Sequence, residues 1–177
     1  MAVDWFKQFV IQFGGLKADQ HHFDFELDDT FFDHFEYSEI KNGAISVHLE
    51  LDKEEKVLTF RFFFDGMVTM PCDRCFEPVD LKISGPELLI VKFGDGYYEQ
   101  NEELQIIPEG VNQIDISPFL YEYCHLLLPI RRVHPEDEKG NSLCDPEIIK
   151  MLEQSSLSGE PDPRWEVLNK LKNNHQS

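Results

Sequence analysis

Hydrophobic and polar positions along this chain fall mainly into alternating runs. Phe23, Phe25 and Leu27 alternate with Asp24 and Glu26, the period-two signature of a half-buried strand. Ile45, Val47, Leu49 and Leu51 alternate with Ser46, His48 and Glu50, and Leu58, Phe60, Phe62 and Phe64 alternate with Thr59, Arg61 and Phe63. The polar stretch Asp52–Lys56 between these two runs predicts a β-hairpin with a five-residue charged loop. Asp65–Gly66 predicts a further turn, after which Met67–Met70 leads into Pro71. Val79, Leu81 and Ile83 resume the alternation, and the continuous apolar run Leu88–Phe93 predicts a separate, central strand. Shorter strands are expected at Phe9–Phe13, stopped by Gly14–Gly15, and at Leu104–Ile107, after a polar loop over Gly94–Glu103.

The period changes at a few places. Phe31, Phe32 and Phe35 fit one helical face, with Asp28 or Asp29 as the cap. Asp115-Ile116-Ser117-Pro118 predicts a helix over 118–127, with Ser117 as N-cap, Pro118 at the first helical position and Pro129 beyond its end. Cys124 lies on this helix one turn from Leu120 and Leu127, as a small core residue. Asp145 and Pro146 open a short helix carrying Ile148, Ile149 and Leu152. A Ser/Gly-rich linker is expected over Gln154–Glu160, then a tail helix opening at Asp162-Pro163 with Trp165, Leu168 and Leu171 on a narrow stripe that docks onto the domain or, as the alternative, binds a partner. The fold class is α+β: a β-rich antiparallel sheet or partly open barrel with a few short helices, mostly in the C-terminal half. One domain is expected over 1–153, with a linker and short C-terminal helix over 154–177.

Composition sharpens this picture in two ways. Hydrophobic residues make up 41% of the 177, slightly few, but 15 are phenylalanine, and each buries a large area. The net charge is −18, from 34 acids against 16 bases, which repels a phosphate backbone and points to a basic protein partner. No apolar run is long enough for a membrane span, and the N-terminus carries Asp4 and lacks a signal-peptide pattern. A cytoplasmic location is expected, where four cysteines are thiols or metal ligands.

Candidate chemistry centres on Cys72-Asp73-Arg74-Cys75, a CxxC between two strands. A rigid turn of that kind can hold two thiolates at fixed separation, and zinc needs four donors in tetrahedral array. His134 and Cys144 supply the other half of a Cys3His set, although the nine residues between them exceed the usual spacing of a compact knuckle. Redox CxxC motifs generally open a helix; here strands flank the motif, and Glu77 and Asp80 are expected to raise the thiol pKa, so the other reading beside zinc is cysteines that simply pack and fix a turn, with Arg74 between them. His21-His22 near Asp24 and Glu26 resembles a metal cluster, but on an alternating strand His22 falls on the polar face with Asp24 and Glu26 and His21 with Phe23, which reads as a solvated face. Arg74, Arg131 and Arg132, with His134, form a small basic patch if the CxxC turn and the return segment meet. Phosphate-cradling loops and the common hydrolase motifs are missing from the sequence, so no enzyme is expected.

With these motifs assembled, the chain resembles the YceD family of large-ribosomal-RNA-subunit accumulation proteins. The resemblance rests on Gly66-x-Val68 leading into Cys72-Asp73-Arg74-Cys75-Phe76-Glu77-Pro78-Val79, then Asp115-Ile116, Leu126-Leu127-Leu128-Pro129, His134 and Cys144. The closing Asp162-Pro163-Arg164-Trp165-x-x-Leu168 is also similar to the family's tail. It implies a bacterial cytoplasmic protein needed for 23S ribosomal RNA accumulation, often encoded beside a small zinc-ribbon protein of the large subunit. Some relatives carry a second cysteine pair where this chain has His134 and a longer gap. Two functions follow as expectations. The first is a non-enzymatic assembly factor binding a basic ribosomal protein or a large-subunit precursor, with direct RNA contact left open. The second is a zinc-binding or thiol-redox regulatory module centred on the CxxC. Zinc is the candidate cofactor in both.

Overall fold

The computed structural model describes residues 5–101 and 103–157 of the chain. These divide into two compact units: one comprises residues 5–70 and 78–132, the other 71–77 and 133–157. The expected tail helix and its stripe of Trp165, Leu168 and Leu171 lie outside the described residues.

The first unit is built on strands. They are β1 (Val10–Ile11), β2 (Gln20–Leu27), β3 (Asn42–Lys53), β4 (Val57–Pro71), β5 (Pro78–Gly94), β6 (Tyr98–Asn101), β7 (Leu104–Pro108) and β8 (Ile114–Asp115). Among the described residues, β2-β3-β4-β5-β7-β6 form a mixed sheet in that order, and β1 pairs with β8. β2 and β3, β3 and β4, and β6 and β7 run antiparallel, while β5 and β7 run parallel. Among the described residues the sheet is not closed, in keeping with the expected β-rich α+β class. Among the described residues there are three α-helices: α1 (Asp29–Asp33) and α2 (Ser117–Leu126) in the first unit, and α3 (Pro146–Leu157) in the second. None is long and apolar enough to cross a membrane.

Alternation places the core on one face of the large sheet. Ile45, Val47, Leu49 and Leu51 of β3, Leu58, Phe60, Phe62 and Phe64 of β4, and Val79, Leu81 and Ile83 of β5 are all buried. The phenylalanines of β4 form a ladder, with Phe62 centred 6.3 Å from both Phe60 and Phe64. Helix α2 packs onto that ladder: the Tyr123 ring lies 5.5 Å from Phe62, and its hydroxyl donates to the Leu88 carbonyl at 3.2 Å. Phe31 and Phe32 of α1 are buried, and Phe31 meets Phe9 edge-on at 5.2 Å. Each buried phenylalanine contributes roughly 1.5–3 kcal/mol, so this aromatic layer offsets the modest hydrophobic content. Cys124 is fully buried in α2 and, as expected, packs as a small apolar residue.

Several local expectations are corrected. The hairpin between β3 and β4 pairs down to Lys53 and Leu58, with Glu54 N–H bonded to the Val57 carbonyl, so the loop is tighter than five residues. Asp65–Gly66 is no turn: β4 continues through it, pairing Asp65 with Ser46 and Gly66 with Ile45. A Cβ on Gly66 would lie 2.3 Å from the Ala44 carbonyl oxygen, so glycine is required by close backbone approach inside the sheet. The two strands expected either side of Gly85-Pro86 are a single strand, β5, because odd positions keep facing inward from Val79 to Val91. Gly85 makes room for Leu127, whose Cδ2 would lie 2.7 Å from a Cβ there. β6 arises inside the expected polar loop. At the start of α2 the N-cap is Ile116, and Asp115 Oδ1 accepts from both the backbone N–H and the hydroxyl of Ser117. Asp28 caps α1 as expected, accepting from Phe31 N–H.

Candidate metal centre

The second unit begins at the turn that follows β4. Cys72 N–H donates to the Glu77 carbonyl and Phe76 N–H to the Cys72 carbonyl, both at 2.9 Å. The Arg74 backbone N–H points at Cys72 Sγ, 3.4 Å away. Such N–H donors stabilise negative charge on sulfur. Phe76 closes the turn with φ 63°, a left-handed conformation that costs a non-glycine residue about 1–2 kcal/mol, and its ring is 79% exposed. Phe76→Gly removes that strain with little packing lost. It is expected to raise the free energy of opening this turn by about 0.5–1 kcal/mol, measured as slower amide exchange at Cys72 and Phe76. Faster exchange would mean that the phenyl ring, and not the conformation, governs the turn.

The return segment accounts for the long gap between His134 and Cys144. Glu136 bridges Ser142 antiparallel, Asp137 N–H donates to the Asn141 carbonyl, and Leu143 N–H donates to the Pro135 carbonyl. Asp137 Oδ1 accepts the backbone N–H groups of Lys139 and Asn141, and Gly140 takes φ 80°. The intervening residues thus fold into a small hairpin, which sets its two ends side by side. The cue was the Asp, Gly and Asn of Asp137–Asn141, a turn composition. Arg74 ties the two parts of the unit together by donating to Ser142 Oγ at 2.9 Å. Beyond Cys144, Asp145 accepts Glu147 N–H and Pro146 opens α3, as expected. Helix α3 then runs on through Gln154–Leu157, where a linker was expected to begin.

Four donors converge in this unit. Cys72 Sγ lies 3.7 Å from Cys144 Sγ. His134 Nδ1 lies 3.4 Å from Cys75 Sγ and 3.7 Å from Cys144 Sγ. All four ligand atoms lie within 4.8 Å of one another. Tetrahedral zinc, with bonds of about 2.3 Å to sulfur and about 2.0 Å to nitrogen, places donors about 3.7 Å apart for two sulfurs and about 3.5 Å for sulfur and nitrogen. The measured edges match. Cys72, Cys75, His134 and Cys144 can therefore hold a metal, and their soft donor set suits zinc.

Electrostatics point the same way. Burial raises all three thiols, but at Cys72 the backbone N–H groups of Cys75 and Arg74, together with His134, outweigh it and hold the thiol down at about 6. At Cys144 burial is again opposed, by the Ser142 hydroxyl and His134, and the net shift is downward. At Cys75 burial prevails and the thiol is pushed up. The expectation that Glu77 and Asp80 raise the CxxC thiols fails at Cys72, where nearer donors act on sulfur, and at Cys75 the rise comes from burial and not from these acids. A cation among the sulfurs would remove the remaining conflict, since a coordinated thiol is deprotonated.

Packing adds a further observation. Across residues 71–77 and 133–155, the buried side chains are those of Cys72, Cys75 and Cys144. Among these described residues there is no apolar core, and small units of that kind are held together by metals or disulfides. Its cysteines are free thiols.

The arginines expected to form a patch are divided between the units. Arg74 is engaged with Ser142, Arg132 donates to Glu39 at 2.8 Å, and Arg131 is exposed.

Residues 60–172 match the family Large ribosomal RNA subunit accumulation protein YceD. The chain belongs to this family. The match begins in β4 and takes in the CxxC turn, α2, His134, Cys144 and α3, so all four converging donors lie within the YceD region. Membership implies a role in accumulation of large-subunit ribosomal RNA. No curated protein and no solved structure matches the chain.

Proposed function

We propose that this YceD protein is a non-enzymatic, cytoplasmic factor in large-subunit biogenesis. It supports 23S ribosomal RNA accumulation by binding a basic ribosomal protein, or a precursor particle that presents one. Family membership is the observation that carries the process. The −18 charge supports a basic partner, because complementary fields speed encounter and suppress like-charged competitors such as bare RNA.

In this reading the Cys3His cluster is structural. Zinc, when bound, supplies a fixed positive charge and a four-way cross-link. Cys72 and Cys75 hold it from the turn after β4, His134 and Cys144 from the two ends of the return hairpin, and Arg74 braces the pair through Ser142. Four protein ligands leave no open position for water or substrate, which favours architecture over catalysis. Burial of the three thiols likewise disfavours exchange with an outside disulfide.

Two measurements test the proposal. In cells lacking the protein, 23S RNA should fall relative to 16S, and tagged protein should co-sediment with large-subunit precursors in a salt-sensitive manner. Unchanged 23S levels together with sedimentation only as free protein would overturn it.

A further inference from the structure

A second set of metal-type donors lies on the solvent face of the large sheet, formed by β2 and β3. Strand register places His22 directly opposite Glu50 and Asp24 directly opposite His48. His22, His48 and Glu50 each bring a ligand atom within 4.8 Å of the others. The two imidazole rings stack at 5.5 Å with 17° between their planes. His48 Nδ1 lies 2.7 Å from Asp24 Oδ1. With Nδ1–H donated to that carboxylate, neutral His48 keeps its lone pair on Nε2. A carboxylate that fixes the tautomer of a ligating histidine is the usual outer support of a histidine metal site. Gln20 Nε2 donates to Glu50 Oε2 at 3.4 Å and orients the third donor.

We propose that His22, His48 and Glu50 form a second, surface site for a borderline divalent transition-metal ion, with Asp24 as the positioning residue for His48. Imidazole and carboxylate donors suit zinc, nickel, copper and cobalt. The buried alternation of Val47, Leu49 and Leu51 on the opposite face pins the register that assembles the quartet. The donors must draw together by about 1–2 Å to reach bonds of about 2.0–2.2 Å, which rotation of half-exposed side chains supplies. The negative body raises the local cation concentration. Three protein ligands leave open positions for water or for a partner's side chain, unlike the closed Cys3His cluster. The assignment does not rest on the proposed ribosomal role or on occupancy of that cluster.

Cobalt distinguishes the two sites, because only thiolate ligation gives intense sulfur-to-cobalt charge-transfer absorption. The full chain titrated with Co2+ should bind one ion with that absorption and another showing weak d–d bands alone. The second ion should broaden the imidazole proton resonances of His22 and His48. The His22→Ala/His48→Ala variant should lose it and keep the first, and Asp24→Asn should weaken it by roughly 10-fold. Absence of any thiolate-free cobalt, or its persistence in the His22→Ala/His48→Ala variant, overturns the assignment. Both histidines lie off the core, and an unchanged thermal melt of the metal-free variant confirms that folding is intact.

Discussion

Cys144→Ser is expected to release zinc and unfold residues 71–77 and 133–157 while leaving the sheet intact. The substitution removes one thiolate from a set of four and puts in its place a hydroxyl that does not ionise near neutrality. Structural zinc contributes roughly 10–16 kcal/mol in apparent terms to comparably small units. Among the described residues of the unit, the buried side chains are its three cysteines, so the metal is the main tie between them. Thiolate-bound metal, read as sulfur-to-cobalt absorption after cobalt substitution, should fall from about one ion per chain to well below one tenth, and amide protection at Cys72, Phe76 and Leu143 should collapse. Protection at Leu49 and Phe62 should persist. Cys124→Ala is the control: that thiol is buried in α2 and is not one of the four converging donors, and its loss should leave thiolate-bound metal unchanged. Full protection in a metal-free Cys144→Ser protein would show that the turn and hairpin hold themselves together.

The pH dependence of the metal-free unit follows from the same groups. Cys72 is held at about 6 in the fold, below its unfolded value of about 8.5. A depressed acid contributes stability that is present above the unfolded value and is lost as pH falls through the folded one. Cys144 acts in the same sense and Cys75 in the opposite one. The metal-bound unit follows the same direction, because protons compete with zinc for every thiolate.

Gly66→Ala is expected to cost at least about 3 kcal/mol, a size reserved for strain, cavity and unpaired-group mechanisms. A Cβ at this position would lie 2.3 Å from the Ala44 carbonyl oxygen and 2.5 Å from Ile45 Cα. Both are backbone atoms of the neighbouring strand, so no rotamer change relieves the contact. β3 and β4 would have to separate in the middle of a sheet whose register carries the core. At roughly 2–4 °C per kcal/mol for a chain of this size, the melting temperature should fall by about 10 °C. Gly85→Ala is the informative contrast, since its Cβ would meet the movable end of the Leu127 side chain. A loss below about 1 kcal/mol at Gly66 would mean that the strands part more easily than sheet packing allows.

Gly66 also illustrates where reading the chain by itself went astray. Asp-Gly is a strong turn signal, yet positions 58, 60, 62, 64, 68 and 70 keep one parity across it and are all buried. A chain reversal would have broken that parity. The continuous apolar run Leu88–Phe93 misled differently: it was read as a strand of its own, although the inward positions stay odd throughout β5. Local pattern lost to long-range pairing in both cases, because cross-strand partners decide where a strand ends and whether a glycine turns or merely makes room. β6 carries no apolar alternation, and what brings it into the sheet is its pairing with β7.

The candidate sites divide along a similar line. Cys72 and Cys75 were legible together, since two thiols within four residues need only a local turn to share a metal. His134 and Cys144 were legible as chemistry but not as geometry, because their closeness depends on a hairpin held by Asp137 and by the Glu136–Ser142 bridge. The His22, His48 and Glu50 group could not be read at all, since β2 and β3 are far apart in sequence. Their register comes from hydrophobic residues on the opposite face. By itself, the sequence determined which residues face the core, where helices α1 and α3 begin, the donor types at the CxxC and the family. Periodicity, caps and short motifs act over a few residues and survive without context. Strand order, the continuity of β4 and β5, and the convergence of both donor sets were decided only by the tertiary structure. Those depend on which distant backbone groups pair, and that pairing is chosen by the energy of the whole packed sheet.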